Sequence, residues 1–238
     1  MSYVPQESAY LVKIGRMNGN ASPMYYGSLI TENTASKSII TVLSEIKAEK
    51  NKIYKILFSQ VIGEIVVIPI GVFDYFRRGI DHPFKKNMHP NFEAVYKYYE
   101  ENLKGDSILP LYLCDAFLND VLRKKGSERL YKITSAIANE CLSISKADGI
   151  VYPSVEFIDH PNIVLKPEIV DKKIQHKKAY SIYLEESYGY GMYKLTFTHC
   201  GETSFDKIQW RKVEPKDFKN NWFNVSRNLF VKICKLKK

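Results

Sequence analysis

The order of periodicities limits this chain's fold more than any other feature. Short β-type alternation comes first, helical spacing occupies about 91–145, and alternation returns at Gly149. Strands, then a helical insert, then strands do not supply the regular βαβ repeat of a doubly wound sheet. The expected class is therefore α+β, with a mixed β core.

Residues 9–15 (AYLVKIG) and 24–30 (MYYGSLI) read as strands flanking a turn-rich GNASP loop at 19–23. Ile39, Ile40, Val42, Leu43 and Ile46 have helical spacing and predict a helix over 38–50. IYKILFSQV (53–61) and EIVVIPIGV (64–72) read as strands paired near Gly63, and 79–90 as loop. Phe92, Val95, Tyr96, Tyr99 and Leu103 share one helical face, and further helices follow Pro110 and Gly126. GIVYPSVE (149–156, broken at Pro153), NIVLKP (162–167), 180–185, 192–198 and 228–236 read as strands. Gly189-Tyr190-Gly191 is half a dinucleotide fingerprint, but no third glycine or helix follows, so it reads as a β-turn.

With 238 residues, 45% hydrophobic and 26% charged, the chain can bury a core without staples and is not wholly disordered. No apolar run approaches the roughly 18 residues that span a bilayer, and MSYVPQESAY has neither the basic nor the apolar part of a signal peptide. A cytoplasmic protein with no membrane partner is expected. Cys114, Cys141, Cys200 and Cys234 are scattered and read as reduced thiols. His199-Cys200 is the one adjacent ligand pair, and no second pair follows at metal spacing, so no metal is expected. The net charge of +9 points to anionic partners: nucleic acid, phosphorylated ligands or an acidic protein. The lysines at 172–178 and at the C-terminus read as solvated faces.

The sequence contains no P-loop, H-E-x-x-H or G-x-S-x-G. Glu185 and Glu186 are adjacent on a predicted strand and point to opposite faces, so they do not form a carboxylate pair. Arg77-Arg78 reads as a surface loop pair.

One ordered set carries chemistry. Arg16 and Asn18 lie in a glycine-rich turn, Pro23 and Tyr26 follow at the start of a strand, Glu45 sits on the next helix, and Ser154 follows Pro153 at a strand break. Arginine offers a planar fork for a pyrophosphate, and tyrosine a flat face and a hydroxyl. A fixed carboxylate stabilises positive charge that develops in a reaction. Ser154 can hydrogen-bond a ligand. It is not read as a covalent nucleophile, because no histidine base is evident near it.

This set resembles the RES family, named for its Arg, Glu and Ser. The resemblance rests on Arg16-x-Asn18, Pro23 and Tyr26 at the family spacing, on VLSEI with Glu45, and on ADGIVYPSVE followed by NIVLKPEIVD, and it covers about 10–172. Ala21 replaces the usual glycine, and Tyr26 and Glu45 are 19 residues apart, longer than in the compact toxins. Glu32 is the competing acid.

The resemblance implies an ADP-ribosyltransferase-like fold over 1–172, with the helical insert at about 91–145; the tail has no counterpart in the family and reads as a β-rich extension over 173–238 packed on the same domain. The resemblance also implies an NAD+ glycohydrolase or phosphorylase acting as a toxin or defence effector. NAD+ is then substrate rather than cofactor, inorganic phosphate is a co-substrate, and an Xre-type DNA-binding antitoxin is a partner. Arg16, Tyr26, Glu45 and Ser154 are the implied catalytic residues, with Arg16, Asn18, Tyr26 and Ser154 binding substrate. The alternatives are an ADP-ribosyltransferase modifying a macromolecule, and a non-catalytic nucleic-acid-binding module.

Overall fold

The computed structural model describes residues 3–30, 35–78, 91–103, 107–126, 128–144, 146–156, 160–204 and 207–214. A 3-10 helix, Gln6–Leu11, opens the chain. In order follow β1 (Tyr25–Ser28), α1 (Ala35–Glu45), β2 (Lys52–Val61), β3 (Val67–Pro69), α2 (Val72–Arg77), α3 (Asn91–Asn102), α4 (Leu109–Arg123), α5 (Glu128–Ile144), β4 (Gly149–Tyr152), β5 (Asn162–Leu165), α6 (Pro167–Lys173), β6 (Ile174–Gly189), β7 (Met192–Ser204) and β8 (Lys207–Lys212). The expected α+β class holds, with two mostly antiparallel sheets. Among the described residues no helix is long and apolar enough to cross a membrane. The predicted loop at 79–90, the strand at 228–236, Glu32 and Cys234 lie outside the described residues.

The chain divides into two compact units. The first comprises Tyr3–Thr31 and Ile65–Pro167, and the second Glu32–Glu64 and Glu168–Lys238 with Met1–Ser2.

In the first unit the sheet order is β1-β5-β4-β3, with β3 parallel to β4 and the other pairs antiparallel. Residues opposite one another across a ladder share a face. Tyr26, Val164, Ile150 and Ile68 therefore form one row, and Ser28, Asn162 and Tyr152 the next. Met17, Leu122, Ala138 and Leu142 pack on this face with Ile150 and Val164 as one core cluster, which draws α4 and α5 onto the sheet. Leu122 is fully buried, worth about 1.5–3 kcal/mol relative to exposure. β4 and β5 are buried along their whole length, which explains their unbroken apolar runs. The next pair in register would be Pro153 and Pro161. Neither has an N–H to give, so the ladder ends there.

The second unit holds an antiparallel sheet, β2-β6-β7-β8. Phe58, Tyr180 and Phe197 meet edge to face, with both centroid separations 5.6 Å. Ile39 and Leu43 of α1 are buried, and Ser44 Oγ lies 2.9 Å from Tyr193 Oη, tying α1 to β7. The β-turn at 189–191 is present: Tyr190 (φ 52°) and Gly191 (φ 72°) are both left-handed, the sign pattern of a type I′ hairpin. This unit has 20 Lys and Arg against 12 Asp and Glu, so nearly all of the chain's positive excess belongs to it.

Two local expectations are corrected. Residues 9–15 do not form a strand: Ser8 N–H bonds Pro5 O and Val12 N–H bonds Ala9 O, winding a 3-10 helix, and Ile14 N–H is taken by Asn20 Oδ1. β2 and β3 do not pair through Gly63, because β2 registers against β6 along its length while β3 joins β4 in the other sheet.

Candidate functional site

Arg16 is held by its neighbours. Gly15 N–H donates to Asn18 O (3.0 Å), closing a tight turn. Met17, 1% exposed, pins the turn into the core. Gly15 is required, since a Cβ there would collide with Asn18 Oδ1. The buried Asn18 side chain fixes the loop: its Nδ2 donates to Lys13 O (3.0 Å) and Gly19 O (2.9 Å), and its Oδ1 accepts the Tyr26 hydroxyl proton (2.7 Å). Met17 N–H donates to the same hydroxyl at 3.0 Å. Arg16, Asn18 and Tyr26 are thus brought together as one bonded loop-and-strand unit.

Arg16 also closes a helix. Its Nη1 donates to the carbonyls of Leu122 and Lys124, at the end of α4. The last carbonyls of a helix lack partners and carry its negative dipole end, so a guanidinium is well suited there. The guanidinium carbon lies 5.9 Å from the centre of the Tyr131 ring, within cation–π range. Among the described residues its bonds run through Nη1, which leaves the other donors of the fork uncommitted.

The Tyr26 ring is 40% exposed at the edge strand, while its hydroxyl is enclosed by Met17 and Asn18. Burial pushes the phenol's pKa up, partly opposed by the Met17 N–H and by Arg16. The hydroxyl therefore stays protonated and the ring presents a flat face.

Ser154 lies in the same unit, just past Pro153, and is fully buried. Its Oγ accepts Glu156 N–H at 3.2 Å, a serine turn that carries the chain off the sheet.

Glu45 belongs to the other unit, as the last residue of α1. Lys47 is left-handed (φ 50°), Lys47 N–H bonds Ser44 O and Ala48 N–H bonds Leu43 O, a Schellman ending. Glu45 therefore places a half-buried carboxylate where the helix dipole disfavours negative charge.

Sequence reasoning missed two buried polar groups. At the start of α2, Asp115 accepts Gly71 N–H (2.8 Å) and Asp74 N–H (2.9 Å), and burial raises its pKa against those bonds. Asp74 pairs with Arg78 (2.9 Å), so the residue read as half of a surface pair anchors a buried acid. Asp115 occupies the apolar side of a helical pattern, the one signal that marked it. The second group is His160, 2% exposed and just before β5, and Asn162, 5% exposed and the first residue of β5.

Comparison with protein-family models, curated proteins and solved structures finds no match for this chain.

Proposed function

We propose that this chain cleaves the nicotinamide–ribose bond of NAD+, as a glycohydrolase or phosphorylase of the RES kind. The observation that carries the reading is the bonded group of Arg16, Asn18 and Tyr26. It holds a partly uncommitted guanidinium fork and an exposed aromatic face in fixed relation before any ligand arrives.

Arg16 takes the pyrophosphate, Tyr26 stacks on a ring, and Ser154 hydrogen-bonds the carboxamide or ribose. The C1′–N bond breaks with its electron pair leaving on nicotinamide, which is already a good leaving group. Glu45 stabilises the cationic ribose, and water or inorganic phosphate adds at C1′. By the same resemblance, the role is that of a toxin or defence effector in the cytoplasm, neutralised by an Xre-type antitoxin.

The test is NAD+ loss and nicotinamide release by purified protein, with and without inorganic phosphate, beside Glu45→Ala. Turnover should fall at least a hundredfold in the variant, about the scale of one lost electrostatic stabiliser, with the fold retained. Phosphate dependence separates phosphorolysis from hydrolysis. A variant that keeps the wild-type rate removes Glu45 from the mechanism, and a wild-type protein without turnover removes the proposal.

The charge distribution favours a second reading, transfer of ADP-ribose to a macromolecule. The unit that carries Glu45 also carries the positive excess, which suits an anionic acceptor. Label from NAD+ appearing in nucleic acid or protein instead of small products decides for it.

A further inference from the structure

We propose that the exposed face of the β2-β6-β7-β8 sheet binds single-stranded nucleic acid, with Trp210 as a stacking platform and Lys55 and Lys212 as phosphate contacts. Lys55↔Ser181, Ser181↔His199 and His199↔Lys212 form one row across all four strands. Leu57↔Ala179, Ala179↔Gly201 and Gly201↔Trp210 form the next row on the same face. The row between them belongs to the opposite face and carries the buried Ile56, Tyr180 and Cys200. Lys55, His199, Trp210 and Lys212 are all exposed.

The two edges of the sheet meet over its middle. Lys55 on β2 and Trp210 on β8 are three strand spacings apart, about 14 Å of backbone. Yet the Lys55 ammonium stands 5.4 Å from the centre of the indole ring. These side chains therefore lie across β6 and β7. Ala179, Ser181 and Gly201 are small enough to pass beneath them and are buried in consequence. Gly201 is needed there, since a Cβ would stand 3.3 Å from Trp210 Cε3 and collide with Ile208 Cγ2. The indole is thus backed by β7 and remains 37% exposed.

Charge complementarity selects an anionic partner. The two rows hold two lysines and no acid. Among the described residues neither Lys55 nor Lys212 has an acidic partner. Glu202 lies on the opposite face, in the row of Lys178 and Gln209, and Glu185 is already paired with Lys194 at 2.5 Å. An acidic protein segment would satisfy the lysines but not the indole. A duplex offers phosphates but keeps its base faces stacked on one another. A single strand offers both phosphates and free base faces. Base–aromatic stacking is stronger than an exposed cation–π contact. An arriving base therefore displaces the Lys55 ammonium, which then reaches the phosphate of the same nucleotide.

The experiment uses the full chain without NAD+, so its outcome is independent of the catalytic proposal. Fluorescence anisotropy follows labelled oligo(dT) and oligo(U) of about 15 nucleotides, with duplex DNA and polyglutamate as competitors. Trp210→Ala should weaken single-strand binding about tenfold, and Trp210→Phe should retain most of the affinity. Lys55→Gln and Lys212→Gln should each reduce the slope of log K against log salt by about 0.7. In Trp222→Phe, Trp210 is the one tryptophan left; its fluorescence should be quenched by oligo(dT) and not by inorganic polyphosphate. Tighter binding of either oligonucleotide supports the surface and identifies the sugar it prefers. Wild-type affinity in Trp210→Ala, unchanged salt slopes in both lysine variants, or no binding at about 50 mM salt overturns the inference. Duplex or polyglutamate competing as well as the single strand also overturns it.

Discussion

Removing one oxygen from Tyr26 tests whether the turn and the strand form one bonded unit. In Tyr26→Phe the ring stays, and two partners lose their bond: Met17 N–H at 3.0 Å and Asn18 Oδ1 at 2.7 Å. Both residues are buried, at 1% and 5% exposed. Asn18 cannot turn away, because its Nδ2 is committed to Lys13 O and Gly19 O. An orphaned buried polar group costs about 1–3 kcal/mol, so the pair should cost about 3 kcal/mol. A tyrosine judged by its 40% exposed ring would instead fall within about 0.5 kcal/mol. The assay is urea unfolding followed by far-UV circular dichroism, which reports α3–α5 of the same unit. Trp210 fluorescence reports the other unit. The pH limb supplies a second check. Burial raises the phenol's folded pKa above its unfolded value, so the stabilisation is fully present below about pH 10 and is lost as pH rises further. The wild-type advantage over Tyr26→Phe should shrink on that limb. A loss under about 0.5 kcal/mol with parallel alkaline limbs would refute the bonded unit.

Arg16→Lys should keep a cation at the end of α4 and most of the stability while raising KM for NAD+ at least tenfold, because ammonium lacks the planar fork; unchanged KM would assign Arg16 to the helix end alone. Gly149→Ala should cost more than about 3 kcal/mol, since the new methyl would collide with the Val164 backbone carbonyl, which has no room to shift; near-native melting would refute that packing. Burial lowers the pKa of His176, whose Nδ1 lies 2.8 Å from Ser59 Oγ. Its contribution is present above about pH 6.5 and lost as pH falls through the lowered value, so His176→Gln should flatten the acid limb of a pH–stability curve.

Elements whose signal is local were legible from sequence. α1, α4 and α5 follow from apolar spacing, and β6 and β7 from alternation and the turn between them. What was not legible is set by partners far along the chain. β2 has the right pattern for a strand, but its partner β6 begins more than a hundred residues later, and the nearer β3 belongs to another sheet. α2 is too short to announce itself and is held by Asp115 from α4. Residues 9–15 have strand composition, but Ala9 O takes Val12 N–H, Asn20 Oδ1 takes Ile14 N–H and Asn18 O takes Gly15 N–H, so these N–H groups are used locally.

The same division runs through the candidate site. Arg16, Asn18 and Tyr26 could be found together because eleven residues contain all three and their bonds run within the loop and strand. Ser154 follows β4, whose pairing with β5 is fixed by the core beneath it rather than by any local motif. The helix-end role of Arg16 was equally invisible, since Leu122 and Lys124 lie more than a hundred residues away. That role changes how a motif residue should be read. An arginine that orients itself on a helix end is pre-set for an anion without spending its whole fork, so the structural and chemical uses of Arg16 reinforce each other. A loss of activity on removing it has to be divided between them, which is why the lysine variant is more informative than alanine.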